Sequence, residues 1–287
     1  MQISVMITTH NRLSDLRQTL SVLEKLDPAP IEILITADAC SDGTVEYLQK
    51  HFATAKLTIN EPGRGSVASR DAMLRRAIGE LVLSLDDDSY PEQTDALSRV
   101  AKLFEERPQL AVAHFPQRTN EYPETLSKTD FGAPCLTRSF ANSAACFRRS
   151  VYLQLPGFEP CFFHMYEEPD YSLQCFANGY EVYFAPIITI RHHYSKMSRN
   201  WIRVHQQHCR NELWSTLMRC PFPYAPAIIC YRILSQFRVA SKQGLGWILQ
   251  EPVWWWQALK GVPYSLSKAK PCSWASYRQW LRLPSRI

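Results

Sequence analysis

Through the first half of the chain, short apolar runs alternate with segments in which apolar residues return every three or four positions. Ile3 to Thr9, Ile31 to Thr36, Lys56 to Ile59, Leu81 to Leu85 and Leu110 to His114 have the length and composition of strands. Between them, Leu13, Leu16, Leu20 and Leu23 share one helical face, Val45, Leu48 and Phe52 share another, and Val67 to Ala77 forms a third amphipathic stretch. Strands and helices in this order predict an α/β fold with a mostly parallel, doubly wound sheet and right-handed crossovers. Residues 117–138 are irregular and rich in Pro, Thr and Asn, the pattern of a binding loop. A helix and a strand ending at Arg191-His192-His193 follow over residues 166–193. Residues 198–219 and 226–243 then have helical spacing, and Trp247 to Trp256 with Lys260, Lys268 and Lys270 reads as amphipathic.

Ligands of doubly wound sheets bind beyond the carboxyl ends of the strands. In this chain those ends are polar: Thr8, Thr9, His10, Asn11 and Arg12 after the first strand, Asp38 and Cys40-Ser41-Asp42-Gly43-Thr44 after the second, and Asp86-Asp87-Asp88 after the fourth.

Composition changes this picture in two places. With 287 residues, 46% of them apolar, the chain can bury one large core and a smaller appendage. Its charge is divided: residues 191–287 carry 15 Lys and Arg against Glu212 and Glu251, whereas residues 1–190 carry 17 against 25 acids. A basic end suits an anionic membrane surface or a phosphate-bearing acceptor, or is simply a solvated surface. Nine cysteines without a Cys-x-x-Cys pair, and a start that reads as a strand rather than a secretory signal, lead to the expectation of reduced thiols in the cytoplasm. No stretch reaches the roughly 18 apolar residues of a membrane span.

Three successive carboxylates at the end of an apolar strand raise one another's pKa unless a cation compensates, and a divalent ion is the natural one. Hard oxygen ligands suit Mg²⁺ or Mn²⁺. Asp88 is the first candidate ligand, and Asp86, two positions earlier, projects to the same side if the strand geometry persists. His192 and His193 end a later strand; either can be a ligand, a diphosphate contact or a structural residue, and His193 is the candidate third ligand. Glu167-Glu168-Pro169-Asp170 opens a helix, where carboxylates favour the N-terminus electrostatically. Their functional reading makes Glu168 a general base, Glu167 the alternative and Asp170 its support. Gly63-Arg64-Gly65-Ser66-Val67-Ala68 fits a dinucleotide fingerprint loosely but lies in the third βα unit, and a dehydrogenase leaves both acidic clusters without a role.

In order and spacing these segments resemble the family 2 glycosyltransferases, which have the GT-A fold, over residues 2–193. Val5-Met6-Ile7-Thr8-Thr9-His10-Asn11-Arg12 is similar to the family's opening strand and nucleotide-binding turn, and Asp38 with Ser41-Asp42-Gly43-Thr44 to the turn whose carboxylate contacts the donor base. Gly63 to Arg70 resembles the segment beside the nucleotide and its phosphates, and Asp86-Asp87-Asp88 the Asp-x-Asp metal motif. Pro156-Gly157-Phe158-Glu159 followed by Tyr166-Glu167-Glu168-Pro169-Asp170 resembles the region that holds the base. The chain departs from the pattern at Ala37, at Cys40, at Pro156 in place of a glycine, and at Glu168 in place of the usual aspartate.

The resemblance implies an inverting, metal-dependent transferase that moves a sugar from a UDP- or dTDP-type donor to an acceptor hydroxyl. Thr8, His10, Asn11, Arg12, Asp38, Gly65, Arg70, Asp86 and Asp87 are implied to face the donor, with Asp86, Asp88 and His193 around Mn²⁺ or Mg²⁺. Residues 1–195 form the expected catalytic domain and 196–287 a basic, Trp-rich helical appendage. Trp254, Trp255 and Trp256 with Trp247, Trp274 and Trp280 either pack as core or anchor at a membrane interface. The latter suits a glycan or lipid-linked acceptor in cell-envelope synthesis, at the inner face of the membrane. Two rivals predict otherwise: a catalytically silent scaffold has no use for intact acids, and a nucleic-acid binder, not expected here, has no use for the carboxylate crevice.

Overall fold

The computed structural model describes residues 1–194 and 200–286, so the boundary expected at residues 195–196 and the start of the helix expected from residue 198 lie outside the described residues. The chain begins with β1 (Ile3–Thr9), α1 (Leu13–Leu23), β2 (Glu32–Asp38), α2 (Thr44–His51), β3 (Lys56–Asn60), α3 (Ser66–Arg76) and β4 (Leu81–Asp86). It continues with β5 (Ser89–Pro91), α4 (Ala96–Glu106), β6 (Leu110–His114), β7 (Gln117–Thr119), β8 (Cys135–Leu136), β9 (Ala145–Arg148), α5 (Arg149–Gln154), α6 (Glu167–Ala177), β10 (Glu181–Phe184) and β11 (Ile190–His192). Six helices follow: α7 (Trp201–Arg219), α8 (Tyr224–Gln243), α9 (Leu245–Ile248), α10 (Glu251–Lys260), α11 (Val262–Ser267) and α12 (Trp274–Leu281).

The main sheet has the order β3-β2-β1-β4-β9-β6-β10-β8. Strands β3, β2, β1 and β4 are mutually parallel, as is the pair β6 and β10. Because the central strands are covered on both faces, their sequences are continuous apolar runs rather than alternations. Val5 and Ile7 pack with Leu83 and Leu85 against α1 and α4, while Met6 and Val82 enter a second core with Phe147, Tyr152 and Tyr171. Strand β9 lies antiparallel between β4 and β6, an insertion that the four residues Ala-Cys-Phe-Arg are too short to announce. The expected loop over 117–138 is partly ordered: β7 joins β11 and β5 in a second, three-stranded sheet.

The C-terminal helices gather around α7, which carries Trp214 and Met218 into the second core. Among the described residues, no helix is long and apolar enough to cross a membrane. A buried ion pair joins α7 to α6: Asp170 accepts from Arg219 Nε and Nη2, both at 3.1 Å, from Ser215 at 2.7 Å and from Gln174 at 2.6 Å. Both its oxygens are thereby engaged in packing. Expected as support for a catalytic base, Asp170 instead fastens two helices, and it does not line the cleft beside Asp86.

Removing one partner of a buried pair leaves the other charge uncompensated. Asp170→Ala is therefore expected to destabilise the protein by about 3–5 kcal/mol, read from urea unfolding. Wild-type stability combined with lost turnover would return Asp170 to the chemistry.

Candidate active site

The site is built where β4 ends. Past Asp86 the chain turns through Asp87 and Asp88 into β5, and this corner is tied down on several sides. The Asp86 amide donates to Ser89 Oγ at 2.8 Å, Ser89 donates to the Ser143 carbonyl at 2.9 Å, and Thr19 donates to the Asp87 carbonyl at 2.8 Å. Strand β11 pairs antiparallel with β5, His192 opposite Ser89, and so delivers its last side chain to the acidic corner.

There, His192 Nε2 lies 3.2 Å from Asp88. One oxygen each of Asp86 and Asp88 and one His192 nitrogen lie within 4.8 Å of one another, the closeness a shared cation requires. Two carboxylates and an imidazole fit Mn²⁺ better than Mg²⁺, which favours oxygen ligands throughout. His193, the expected ligand, points elsewhere: its Nε2 is 2.7 Å from the Tyr90 hydroxyl and 3.3 Å from Gln18. Consecutive strand residues face opposite ways, so the one-residue difference decides which ring meets the metal corner.

Cations offset the crowded acids. Arg12 reaches Asp87 at 3.2 Å and Asp88 at 2.5 Å, and Arg70, buried in α3, contacts Asp86 and lies 3.8 Å from Glu167. Asp87 is nevertheless pushed up to about 8, by burial first and then by Asp88 and Asp86 acting against Arg12. Burial also favours the neutral form of Asp88, yet His192 and Arg12 outweigh it and hold Asp88 below the usual aspartate range. The same contact raises His192 despite its burial.

Beside this corner opens a cleft of about 600 Å³. Thr8, Thr9, His10 and Arg12 line it from the end of β1, Asp38 from β2, Gly65 and Arg70 from the third βα unit, and Asp86 and Asp87 from β4. Asp38 accepts from the Asn60 amide at 2.8 Å and from the Arg64 and Gly65 backbone at 2.8 and 2.9 Å, so it shapes the turn before α3 as well as the cleft wall. Gly65 has φ +85° and would drive a Cβ into the Phe163 carbonyl, which is why a glycine stands there. Asn11 is not among the lining residues; its Oδ1 accepts from the Ser41 amide at 2.6 Å and joins the turns after β1 and β2.

Glu167 and Glu168 sit in the first turn of α6. Glu167 is buried, accepts from Asn142 at 3.0 Å through one oxygen and has no partner for the other. Glu168 is half-buried and is pushed above the ordinary glutamate range by its surroundings and by adjacent Glu167, with Arg70 and the Asn142 backbone acting in the opposite sense. A carboxyl poised in this way can hold a proton taken from a hydroxyl.

Sequence reasoning missed the contribution of α7. Asn200, Arg203, Val204 and Gln207 line the far wall of the cleft. Their spacing of three and four was the available signal, overlooked because the apolar residues further along the helix dominate its pattern. It also missed Asn142, whose isolated position in an irregular stretch carries no pattern.

Residues 4–165 match the sequence profile of Glycosyl transferase family 2. Similar proteins include the uncharacterized glycosyltransferase YwdF of Bacillus subtilis (strain 168), 23% identical over 209 residues, 70% of this chain and 77% of that one. An uncharacterized glycosyltransferase of Haemophilus influenzae is 25% identical over 118 residues, 40% of this chain and 39% of that one. Among solved structures, S. aureus TarS 1–349 in complex with UDP-GlcNAc has a TM-score of 0.63 at 16% identity, covering 94% of this chain and 84% of that one. The mannosyltransferase PcManGT from Pyrobaculum calidifontis, with GDP-Man and Mn²⁺, has 0.59 at 17%, covering 98% and 78%. GalNAc-T7 with UDP, GalNAc and Mn²⁺ has 0.62 at 15%; the match covers 77% of this chain and 48% of that longer one. At these identities the likeness is one of fold, the GT-A fold.

The geometry makes the two histidines separable. His192→Ala is expected to weaken Mn²⁺ binding, measured by titration calorimetry with UDP present, by at least about tenfold, whereas His193→Ala leaves it within about twofold. The reverse order would remove the His192 assignment.

Proposed function

The chain belongs to glycosyl transferase family 2, and from that premise we propose that it is an inverting transferase that moves a sugar from a UDP- or dTDP-type donor to an acceptor hydroxyl. One observation carries the reading: a single cleft-lining side chain, Arg70, touches both Asp86 of the Asp86, Asp88 and His192 cluster and Glu167, the neighbour of Glu168. Residues 1–195 form the catalytic domain in this reading, and the helices after it act as an appendage that lends Arg203 and Gln207 to the cleft wall.

Asp86, Asp88 and His192 would hold Mn²⁺ or Mg²⁺, which when bound offsets charge on the departing diphosphate. Thr8, His10 and the turn held by Asp38 receive the nucleotide, and Arg12 and Arg70 offer positive charge to its phosphates. Glu168 takes the acceptor proton as the acceptor oxygen bonds to the anomeric carbon and the bond to the diphosphate breaks on the opposite face, so that configuration inverts. Glu167 stays in place as the counterion and brace of Arg70. A glycan or lipid-linked acceptor of the cell envelope suits the basic helices beside the cleft.

Diphosphate release from a panel of sugar nucleotides with Mn²⁺ or Mg²⁺ is the direct test. Release should need the metal and vanish in Asp88→Ala. With acceptor present, Glu168→Gln should lower kcat by about 10²–10⁴-fold while the donor KM changes little. A general base works deprotonated, so kcat should rise with pH through the Glu168 pKa, with the acid limb above the ordinary glutamate range because burial and Glu167 raise it. Silence with every donor and no metal-dependent nucleotide binding would leave the scaffold reading standing.

A further inference from the structure

We propose that the outer face of α8 to α11 docks on an anionic lipid bilayer, lying on the membrane surface without crossing it. Beneath these helices lies a small core in which Ile229 and Ile233 of α8 meet Trp254 and Ala258 of α10 over Cys209 and Leu213 of α7. The opposite sides of the same helices are apolar too. Tyr231, Leu234 and Phe237 follow one another at steps of three along α8, with Arg238 four positions after Leu234, and Trp256 is followed by Leu259 and Lys260 three and four positions on along α10. Leu234 is 60% exposed, Trp256 61% and, between the two helices, Leu249 69%. Isolated exposed apolar residues mean little, but a contiguous set marks an interaction surface.

The charge on this surface selects the partner. Residues 200–286 contain Glu212 and Glu251 as their only carboxylate side chains, and both are buried with internal partners. Glu212 is paired with Arg232 at 3.0 Å and Glu251 with His205 at 2.8 Å. Among the described residues, the exposed charge of these helices is therefore wholly cationic. Lys260 rests its Nζ over Trp256 at 5.1 Å and Lys268 over Tyr264 at 5.8 Å, aromatic and ammonium groups presented together as at a headgroup boundary. A second copy packed on it face to face would present like charge, which disfavours a symmetric dimer through this surface. Among the described residues no helix is both long and apolar enough to cross a membrane, so the face lies in the interface and takes both apolar burial and attraction to anionic lipid.

Co-sedimentation of the full chain with vesicles of phosphatidylcholine alone, or mixed with phosphatidylglycerol, tests this without donor or acceptor, so its outcome is independent of the catalytic reading. Binding to the mixed vesicles is expected, weakened about tenfold or more by the double charge reversal Lys260→Glu, Lys268→Glu and by raising salt from about 0.1 M to about 1 M. Leu234→Glu with Trp256→Glu should abolish it, with far-UV circular dichroism and the thermal midpoint unchanged because both sites are exposed. Equal retention on neutral and anionic vesicles, retention on neither, or binding that survives both double variants would overturn the proposal. So would a wild-type dimer in gel filtration that the Leu234→Glu, Trp256→Glu variant splits.

Discussion

The structure around the cleft is organised by the difficulty of keeping carboxylates together away from water. Asp86, Asp87 and Asp88 are consecutive, and Asp87 and Asp88 are buried; Glu167 is buried near Arg70. Like charges a few ångströms apart resist simultaneous ionisation, and burial adds to the cost. The chain answers with cations from three separate elements: Arg12 after β1, Arg70 from α3 and His192 from β11. Those partners bring distant segments to one corner, and the order of the strands follows the same need, because β5 and β11 must pair for His192 to arrive. The compensation is incomplete, as the raised Asp87 and the unpartnered Glu167 oxygen show. A site left acidic in this way is arranged to receive further positive charge.

A second constraint acts on the acidic helix α6. The approach to it is bent through Phe163, Met165 and Tyr166, all with positive φ, a conformation that side chains rarely adopt unless the surroundings over-determine it. Asn211 of α7 supplies that determination. Its amide donates to the carbonyls of Phe162, His164 and Met165 at 3.1, 2.9 and 2.8 Å, and Arg210 adds a bond to Phe162 at 3.0 Å. The position of Glu167 and Glu168 thus depends on a helix some forty residues further along the chain, and the Asp170–Arg219 pair fastens the same two helices from the other end.

Much of this was legible in the sequence and some was not, for reasons that differ by residue. β1, β4 and β6 are buried on both faces, so their runs stand out, and polar residues at the carboxyl ends of β1, β2 and β4 line the cleft. β9 is equally buried but short and borders polar turns, so nothing periodic marks it. The choice between His192 and His193 depends on the register of β11 against β5, a tertiary fact with no local trace. Asp170 looked catalytic because carboxylates at a helix start share one sequence signature, whether they meet solvent, substrate or a buried arginine. In the tryptophan run, Trp254 is fully buried as core, whereas Trp256, two positions on, is largely exposed.

That division follows from helix geometry and carries a consequence for how the parts cooperate. Residues two apart on a helix point about 200° apart, so one short aromatic run can serve a core and a surface at once. α7 repeats the arrangement on a larger scale. Arg203 and Gln207 line the cleft, Asn211 holds the bend before α6, and Cys209 and Leu213 form the floor on which α8 and α10 rest. One continuous helix therefore connects the cleft wall, the acidic pair and the cationic apolar face. A packed helix moves as a unit, because interiors at crystal-like density transmit displacement rather than absorb it. Any contact that orients the outer face must then orient the cleft with it.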